Sequence, residues 1–468
     1  MTNLQTETTN PINLQRQQHL INFIERYNQR TQTSKKLAQD YRQFLADNKT
    51  LVDFNPTLKE LFYPIVAKTS SGTKIVDADG NEYIDLTMGF GVNLFGHNPL
   101  FIKEALFTQL EKGVQIGPQA ELAGEVAQLI CEFTGMERVT FSNTGTEAVM
   151  TAIRLARAAT GRSKIALFTG SYHGHFDGTL AKKKLLNNPD SIPISPGTPI
   201  NFVQDILVLD YNNDQSLELI KTHAQELAAV LVEPVQTRNI SIQPQEFLQK
   251  LRKLTQVLDI PLIFDEMVTG FRIHPGGAQA WFGIQADIAT YGKILGGGMP
   301  IGVIAGKAKY MNAIDGGIWH YGDASYPQEK TTFFAGTFCK HPLALAAAKV
   351  VLDYLKTQGA GLQDKLNILT SDFVNKLNNY FDQEKIPIQM ASFGSIFGTA
   401  SVTNDESEKN TEAAIVFDLL YYHLLFRGIM LRGNGGFLST AHTQADIEQI
   451  LWAVQDSVEE LRAGYFLP

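Results

Sequence analysis

One lysine, Lys293, sits in "ADIATYGKILGGGMPIG" (286–302) behind an apolar approach, directly after Gly292 and just before Gly296, Gly297 and Gly298. A lysine amine has an ordinary pKa near ~10.4 and is a weak nucleophile at neutral pH, so its site must disfavour the cation or hold it as an imine. Glycines around it fit either a surface turn or a backbone cleared for something bulky. Other residue types with chemistry stand at the ends of apolar runs. "IPLIFDEMVTGF" (260–271) ends its run in Asp265-Glu266, a strand-end cap or a buried charge with a partner. "VTFSNTGTEAV" (139–149) puts Ser142, Thr144, Gly145 and Thr146 where a strand gives way to a helix. Hydroxyls and N–H groups at a helix N-terminus suit an anion, and they serve equally as a plain cap. The glycine spacing and lysine of a Walker loop are missing. "FTGSYHGHFDG" (168–178) adds Tyr172, His173 and His175, without the further ligand spacing that a metal would need.

These parts fit one ligand type. An aromatic aldehyde carrying a phosphate and a ring nitrogen needs an amine, an anion pocket, a carboxylate for the ring nitrogen and a flat side chain to stack on. Lys293, the 142–146 turn, Asp265 and Tyr172 are of those four types.

The elements that must position them follow from patterning. "RVTFS", "KIALFTG", "ILVLDY", "AAVLVEPV" and "PLIFDE" read as strands, alternating with helices such as "ELAGEVAQLICEF" between about residues 100 and 340. That alternation predicts a largely parallel sheet covered by helices, with ligand sites at the carboxyl ends of its strands. "GTKIVDADGNEYIDL" (72–86) reads as two short strands around Asp79-Gly80, and 341–359 begins a long helix leading to a smaller C-terminal lobe. The first ten residues are polar and expected to be disordered. Two amphipathic helices are expected next, with Leu20, Ile24 and Tyr27 on one stripe, Leu37, Tyr41 and Phe44 on another, and Ser34 as an N-cap. They read as a packing arm or as a docking segment.

The chain has 468 residues, 44% of them hydrophobic, enough for a large core and more than one lobe. A net charge of −8 argues against a nucleic-acid or anionic-membrane partner. Two cysteines, Cys131 and Cys339, no secretory signal and no apolar run long enough to span a bilayer lead to a cytoplasmic expectation.

From about residue 60 to the end, the ordered motifs "GTKIVDADGNEYIDL", "GHNP" (96–99), "SNTGTEAV" (142–149), "YHGHFDG" (172–178), "VEPV" (232–235), "DEMVTGFR" (265–272) and "ATYGKILGGGMPIG" (289–302) resemble class III, fold-type-I aminotransferases dependent on pyridoxal 5′-phosphate. "YHGHFDG" and "DEMVTGFR" resemble the glutamate-1-semialdehyde 2,1-aminomutase branch. A narrower resemblance, in "KELFYPIV" (59–66), "EPVQTRNISIQPQEFLQKLR" (233–252), "YGDASYPQEKTTFFAGTFCKHPLALAAAK" (321–349) and "FLSTAHT" (437–443), is to aminotransferase domains of hybrid polyketide/non-ribosomal-peptide synthetases. Those domains turn a 3-oxoacyl group on a carrier protein into a 3-amino acyl group. The chain would then be a stand-alone version acting in trans, or an excised domain.

The resemblance implies an α/β fold: a mostly parallel seven-stranded sheet in a large domain (106–345) and a smaller α+β domain from 59–105 and 346–468, preceded by a helical arm (1–58). It implies that Lys293 forms the Schiff base and shuttles the proton, and that Asp265 pairs with the pyridine nitrogen. Asn143, Thr144, Gly145 and Thr146 would hold the phosphate, with Thr337 in "FAGTF" supplied by the partner of a homodimer. Tyr172 would stack on the ring, Val268 would pack on its other face, and His173 and Glu233 would lie beside it. The cofactor would cycle through pyridoxamine 5′-phosphate, with glutamate as donor and a carrier protein presenting the acceptor; the alternatives are intramolecular amino transfer of the aminomutase type and a catalytically silent docking module. Arg238, Arg272 and Arg432 are candidates for the donor carboxylate, and Gly91, with Gly89, for a roomy substrate entrance. After "EPVQ" this chain has "TRN" where ornithine- and GABA-type relatives continue with a glycine-containing loop, so their substrate residues do not carry over.

Overall fold

The computed structural model describes residues 11–47, 54–185, 188–400, 412–431, 433 and 435–467. The first ten residues and Arg432 therefore lie outside the described residues. Strands β1 (Ala67–Ser71), β2 (Lys74–Asp77) and β3 (Glu82–Asp85) form an antiparallel meander whose tight turn holds Gly80 at φ +86. Next in the chain come β4 (Arg138–Ser142), β5 (Lys164–Phe168), a hairpin of β6 (Ala181–Leu185) and β7 (Asn188–Pro193), then β8 (Ile206–Leu209), β9 (Leu227–Val232), β10 (Leu262–Asp265), β11 (Ile288–Gly292) and β12 (Gly302–Gly306).

The large sheet has seven strands in the order β4-β12-β11-β10-β9-β5-β8. Only β12 runs against its neighbours. Every residue of β9, "LAAVLV", is buried, as expected of a strand covered by helices on both faces. The helix Gly145–Thr160 buries Ala148, Val149, Ala152, Ile153 and Leu155 against one face of the sheet, while Phe247, Leu248 and Leu251 of the helix Gln245–Val257 belong to the core on the other.

Beyond the long helix Pro342–Gln358, β13 (Met390–Phe393) and β14 (Ile396–Thr399) form a hairpin, β15 (Ile429–Met430) pairs parallel with β3, and β16 (Gly435–Phe437) completes the sheet of β13 and β14. Strands from both ends of the chain thus share one sheet. The turn after β16 is closed by His442, 6% exposed, whose Nδ1 accepts from Ser439 N at 3.0 Å. Burial pushes its pKa down to about 4, against the pull of Asp446 and Asp85. A depressed histidine stabilises the fold fully above its unfolded pKa near 6.5, and that contribution fades as pH falls toward 4. Denaturant titrations at pH 7 and pH 4.5 should differ by up to ~3 kcal/mol from this group, and His442→Asn should flatten that slope.

The N-terminal arm departs from expectation in detail. Helices Pro11–Arg30 and Gln32–Tyr41 nearly abut, so Ser34 has no helix start to cap; Thr31 holds that position and makes no side-chain cap bond. Ser34 is buried within the helix, its Oγ accepting from Val66 N at 3.1 Å. Asp79 from the β2–β3 turn caps instead, accepting from Thr33 N at 2.7 Å and Ser34 N at 3.2 Å. Phe23 and Tyr27 pack with Leu58, Leu61, Tyr83 and Tyr422, which makes the first helix a packing arm, whereas Tyr41 and Phe44 are exposed.

Candidate active site

Five strands of the large sheet deliver polar residues to one rim, at their carboxyl ends. Asn143 and Thr144 follow β4, Tyr172 and His173 follow β5, Glu233 follows β9, and Asp265 closes β10. Lys293 follows β11, in the first position of a short 3-10 turn. Together they line a cavity of about 460 Å³, walled also by Val92, Thr237, Met267, Val268 and 298–301.

The helix Gly145–Thr160 opens on a capping box. Thr144 Oγ1 accepts from Glu147 N at 3.2 Å, and Glu147 Oε2 accepts from Asn143 N at 2.6 Å and Thr144 N at 3.2 Å. The box leaves the N–H groups of Gly145 and Thr146 without an intrahelical partner, and both residues line the cavity. Glycines keep this cradle tight: a Cβ on Gly302 would fall 2.2 Å from Thr144 O, and one on Gly174 would fall 2.3 Å from Thr146 Oγ1.

Asp265 is 5% exposed and held from three sides. His173 Nδ1 donates to Oδ2 at 2.8 Å; Oδ1 accepts from Thr290 Oγ1 at 3.1 Å and Met267 N at 3.2 Å. Thr290 is the residue paired with Asp265 across β10 and β11, so strand register puts it there. Glu266, the next residue, turns away. It accepts from Thr269 Oγ1, Ala278 N and Gln279 N at 3.0, 2.5 and 3.1 Å, as the cap of the helix Gly277–Phe282, and burial raises its pKa to about 7. Glu233 accepts from Tyr172 N at 2.8 Å and Thr237 Oγ1 at 3.2 Å; burial raises its pKa, helped by Asp265 and opposed by His173.

Lys293 adopts φ +47, a left-handed conformation that costs a side-chain-bearing residue about 1–2 kcal/mol. Burial lowers its pKa, assisted by the charge of Arg272 and opposed by Asp265 and Glu233. The neighbouring glycines do less for a ligand than their number suggests. A Cβ on Gly292 would meet Ile301 O at 2.8 Å, one on Gly296 Ile301 Cγ2 at 3.0 Å, and one on Gly297 Ile102 Cδ1 at 2.9 Å. These three serve close packing. Of the glycines in this run, only Gly298 lines the cavity, with nothing within 4 Å of its Cβ position.

The residues present fit pyridoxal 5′-phosphate: a glycine-lined helix start for phosphate, a braced carboxylate for the ring nitrogen, Tyr172 and Val268 for the ring faces, and an amine of lowered proton affinity for the aldehyde. Other expected site residues lie elsewhere. Thr337 is exposed, outside the cavity wall, although the adjacent Gly336 approaches Asn143. Arg238 stands over the Tyr172 ring at 5.5 Å, at the rim. Gly91 and Arg272 do not line the cavity. Arg272 is fully buried and donates to Gly91 O, so it does not reach a donor carboxylate there. Thr290, Met267, Thr237 and the 299–301 wall escaped the sequence reading; only the cross-strand partner of Asp265 carried a signal, and that required the register.

The class-III aminotransferase family model matches residues 57–441. The chain is 38% identical over 402 residues to glutamate-1-semialdehyde 2,1-aminomutase 2 of Lachnoclostridium phytofermentans, covering 84% of this chain and 91% of that protein. Among solved structures, an omega-transaminase from Sphaerobacter thermophilus superposes with a TM-score of 0.81 at 30% identity, covering 92% of this chain and 98% of that one. A beta-phenylalanine aminotransferase from Variovorax paradoxus gives 0.79 at 26% identity, covering 96% and 98%. The chain belongs to the class-III aminotransferases, and its cofactor is pyridoxal 5′-phosphate.

Proposed function

We propose that this enzyme transfers the amino group of glutamate to a 3-oxoacyl thioester on a carrier protein, giving a 3-amino acyl product. The observation that carries this reading is the cavity wall. Val92, Met267, Val268, Met299, Pro300 and Ile301 make it broadly apolar, and Lys293 is the one Lys or Arg among the described lining residues. Such a wall suits an acyl chain better than a small amino acid with its own carboxylate. The likeness to a beta-phenylalanine aminotransferase supports nitrogen at a carbon one further from the carboxyl.

When bound, the cofactor supplies an aldehyde that condenses with an amine and a ring that draws in the electrons of the adjacent C–H bond. The chain's residues do the rest. With the cofactor bound, Lys293 Nζ would hold its aldehyde carbon and, once the donor's amine is there instead, would move the proton between the donor's amino-bearing carbon and that aldehyde carbon. Asp265, braced by His173, Thr290 and the Met267 amide, holds the ring nitrogen protonated. The cradle at Gly145 and Thr146 anchors the phosphate so that Lys293 meets the same carbon in both halves of the reaction. Arg238, over the Tyr172 ring at the rim, would take the donor's carboxylate. We infer further that the working unit is a homodimer in which the loop bearing Thr337 reaches the partner's phosphate site. Tyr321, Phe333 and Phe338 on the same loop are exposed large apolar side chains, which a partner would cover.

A second reading is favoured by the comparisons: intramolecular transfer of the aminomutase type, the activity named for relatives such as the Lachnoclostridium protein. One experiment separates them. With ¹⁵N-glutamate and carrier proteins loaded with 3-oxoacyl groups of several lengths, mass spectrometry should find the label on the acyl chain. If the label stays on glutamate while glutamate 1-semialdehyde is converted to 5-aminolevulinate, the second reading stands and the first fails.

A further inference from the structure

Arg272 is fully buried, and among the described residues no carboxylate pairs with it. Its Nη1 donates to Ser395 Oγ at 2.9 Å and Leu438 O at 3.2 Å, and its Nη2 donates to Gly91 O at 2.6 Å. Nε is buried without an acceptor, and the guanidinium lies 5.1 Å over the Phe437 ring. Burial lowers its pKa to about 9. A buried cation held only by neutral acceptors is an expensive arrangement, and a leucine or methionine would fill such a core position at lower cost.

What the side chain connects is specific. Its acceptors come from the β13–β14 turn, from the residue after β16 and from the turn at 88–91, while Arg272 itself stands a short way beyond Asp265. Met88, Gly89, Phe90 and Gly91 have φ of 42, 61, 58 and 88°, four successive left-handed residues of which two carry side chains. Such a conformation persists only where the surroundings over-determine it. Gly91 is pressed on both sides: its carbonyl meets Arg272, and a Cβ on it would lie 3.0 Å from the Phe437 ring. The next residue, Val92, is cavity wall.

We propose that Arg272 is a positioning residue for the acceptor: by clamping the left-handed turn 88–91 to the C-terminal lobe, it sets Val92 and thus the width of the cavity facing Lys293. Its charge has a second effect: together with burial it lowers the proton affinity of the Lys293 amine, against the pull of Asp265 and Glu233. The inference rests on the acceptor occupying the Lys293 cavity, as proposed above.

The test uses the full-length holoenzyme with Arg272→Lys and Arg272→Gln. A lysine keeps the charge, but one ammonium cannot serve acceptors on three segments. Both variants should speed amide hydrogen exchange across 88–96 by about tenfold or more, and raise KM for a 3-oxoacyl N-acetylcysteamine thioester about tenfold with kcat changed far less. The pH midpoint of the cofactor's visible absorbance should rise in Arg272→Gln and hold in Arg272→Lys. Should these variants not fold, Ser395→Ala and Phe437→Leu each remove one support and should speed exchange at 88–96 by smaller factors. Unchanged exchange there, in whichever pair folds, overturns the proposal; so does faster exchange with an unaltered KM. Exchange is read without substrate, so faster exchange together with no turnover of the thioester would count against the acceptor reading and leave the clamp standing.

Discussion

Lys293→Ala should abolish turnover, with a loss on the order of 10⁴-fold or more, because it removes both the amine that receives the aldehyde and the base that moves the proton. The variant should still fold. The residue follows β11 in a left-handed conformation, so replacing the lysine removes no packed apolar side chain. It should retain some cofactor through the cradle at 144–146, but without the visible absorbance of a lysine-linked cofactor. Absorption spectra before and after dialysis, with single-turnover rates, check this. A variant that keeps the wild-type spectrum would show that another amine holds the aldehyde.

Asp265→Asn should lower kcat by about 10² to 10³-fold while leaving the lysine linkage intact, since the negative charge that keeps the ring nitrogen protonated is lost while an isosteric side chain stays in its place. The size follows from how the carboxylate is held. His173, Thr290 and the Met267 amide all donate to it at 2.8–3.2 Å, so it is fixed before substrate arrives. Asparagine turns an NH₂ toward at least one of those donors and disrupts the brace as well as the charge. Rates for the glutamate half-reaction measured by stopped flow give the magnitude; a loss below tenfold would mean that the ring nitrogen does not depend on this residue. The contrast between the two variants is diagnostic, because one loses the linkage and the other keeps it.

Much of this site was legible because its residues are attached to local signals. Asp265 ends an apolar strand, Thr144–Thr146 stand where a strand becomes a helix, and Tyr172, His173 and Glu233 follow strands that any reading of period would place in one sheet. Five of the seven strands were visible as apolar runs; β11 and β12 were masked by their glycines and by the site motif that joins them. What stayed hidden depends on partners distant in sequence. Thr290 matters only through its register with Asp265. Arg272 in "DEMVTGFR" has the same letters whether it faces substrate or, as found, is buried against Gly91, Ser395 and Leu438. The glycines at 292, 296 and 297 look like room for a ligand, yet their missing side chains are replaced by Ile301 and Ile102. Ser34 resembled a cap because two helices that abut end to end leave no mark in composition.

Borohydride reduction of the holoenzyme, followed by proteolysis and mass mapping, tests the central claim most directly. Reduction fixes the cofactor to whichever amine carries it. The account predicts one pyridoxyl-modified peptide, containing "ATYGKILGGGMPIG", with the mass added at Lys293. A tag on any other lysine, or none, would contradict it.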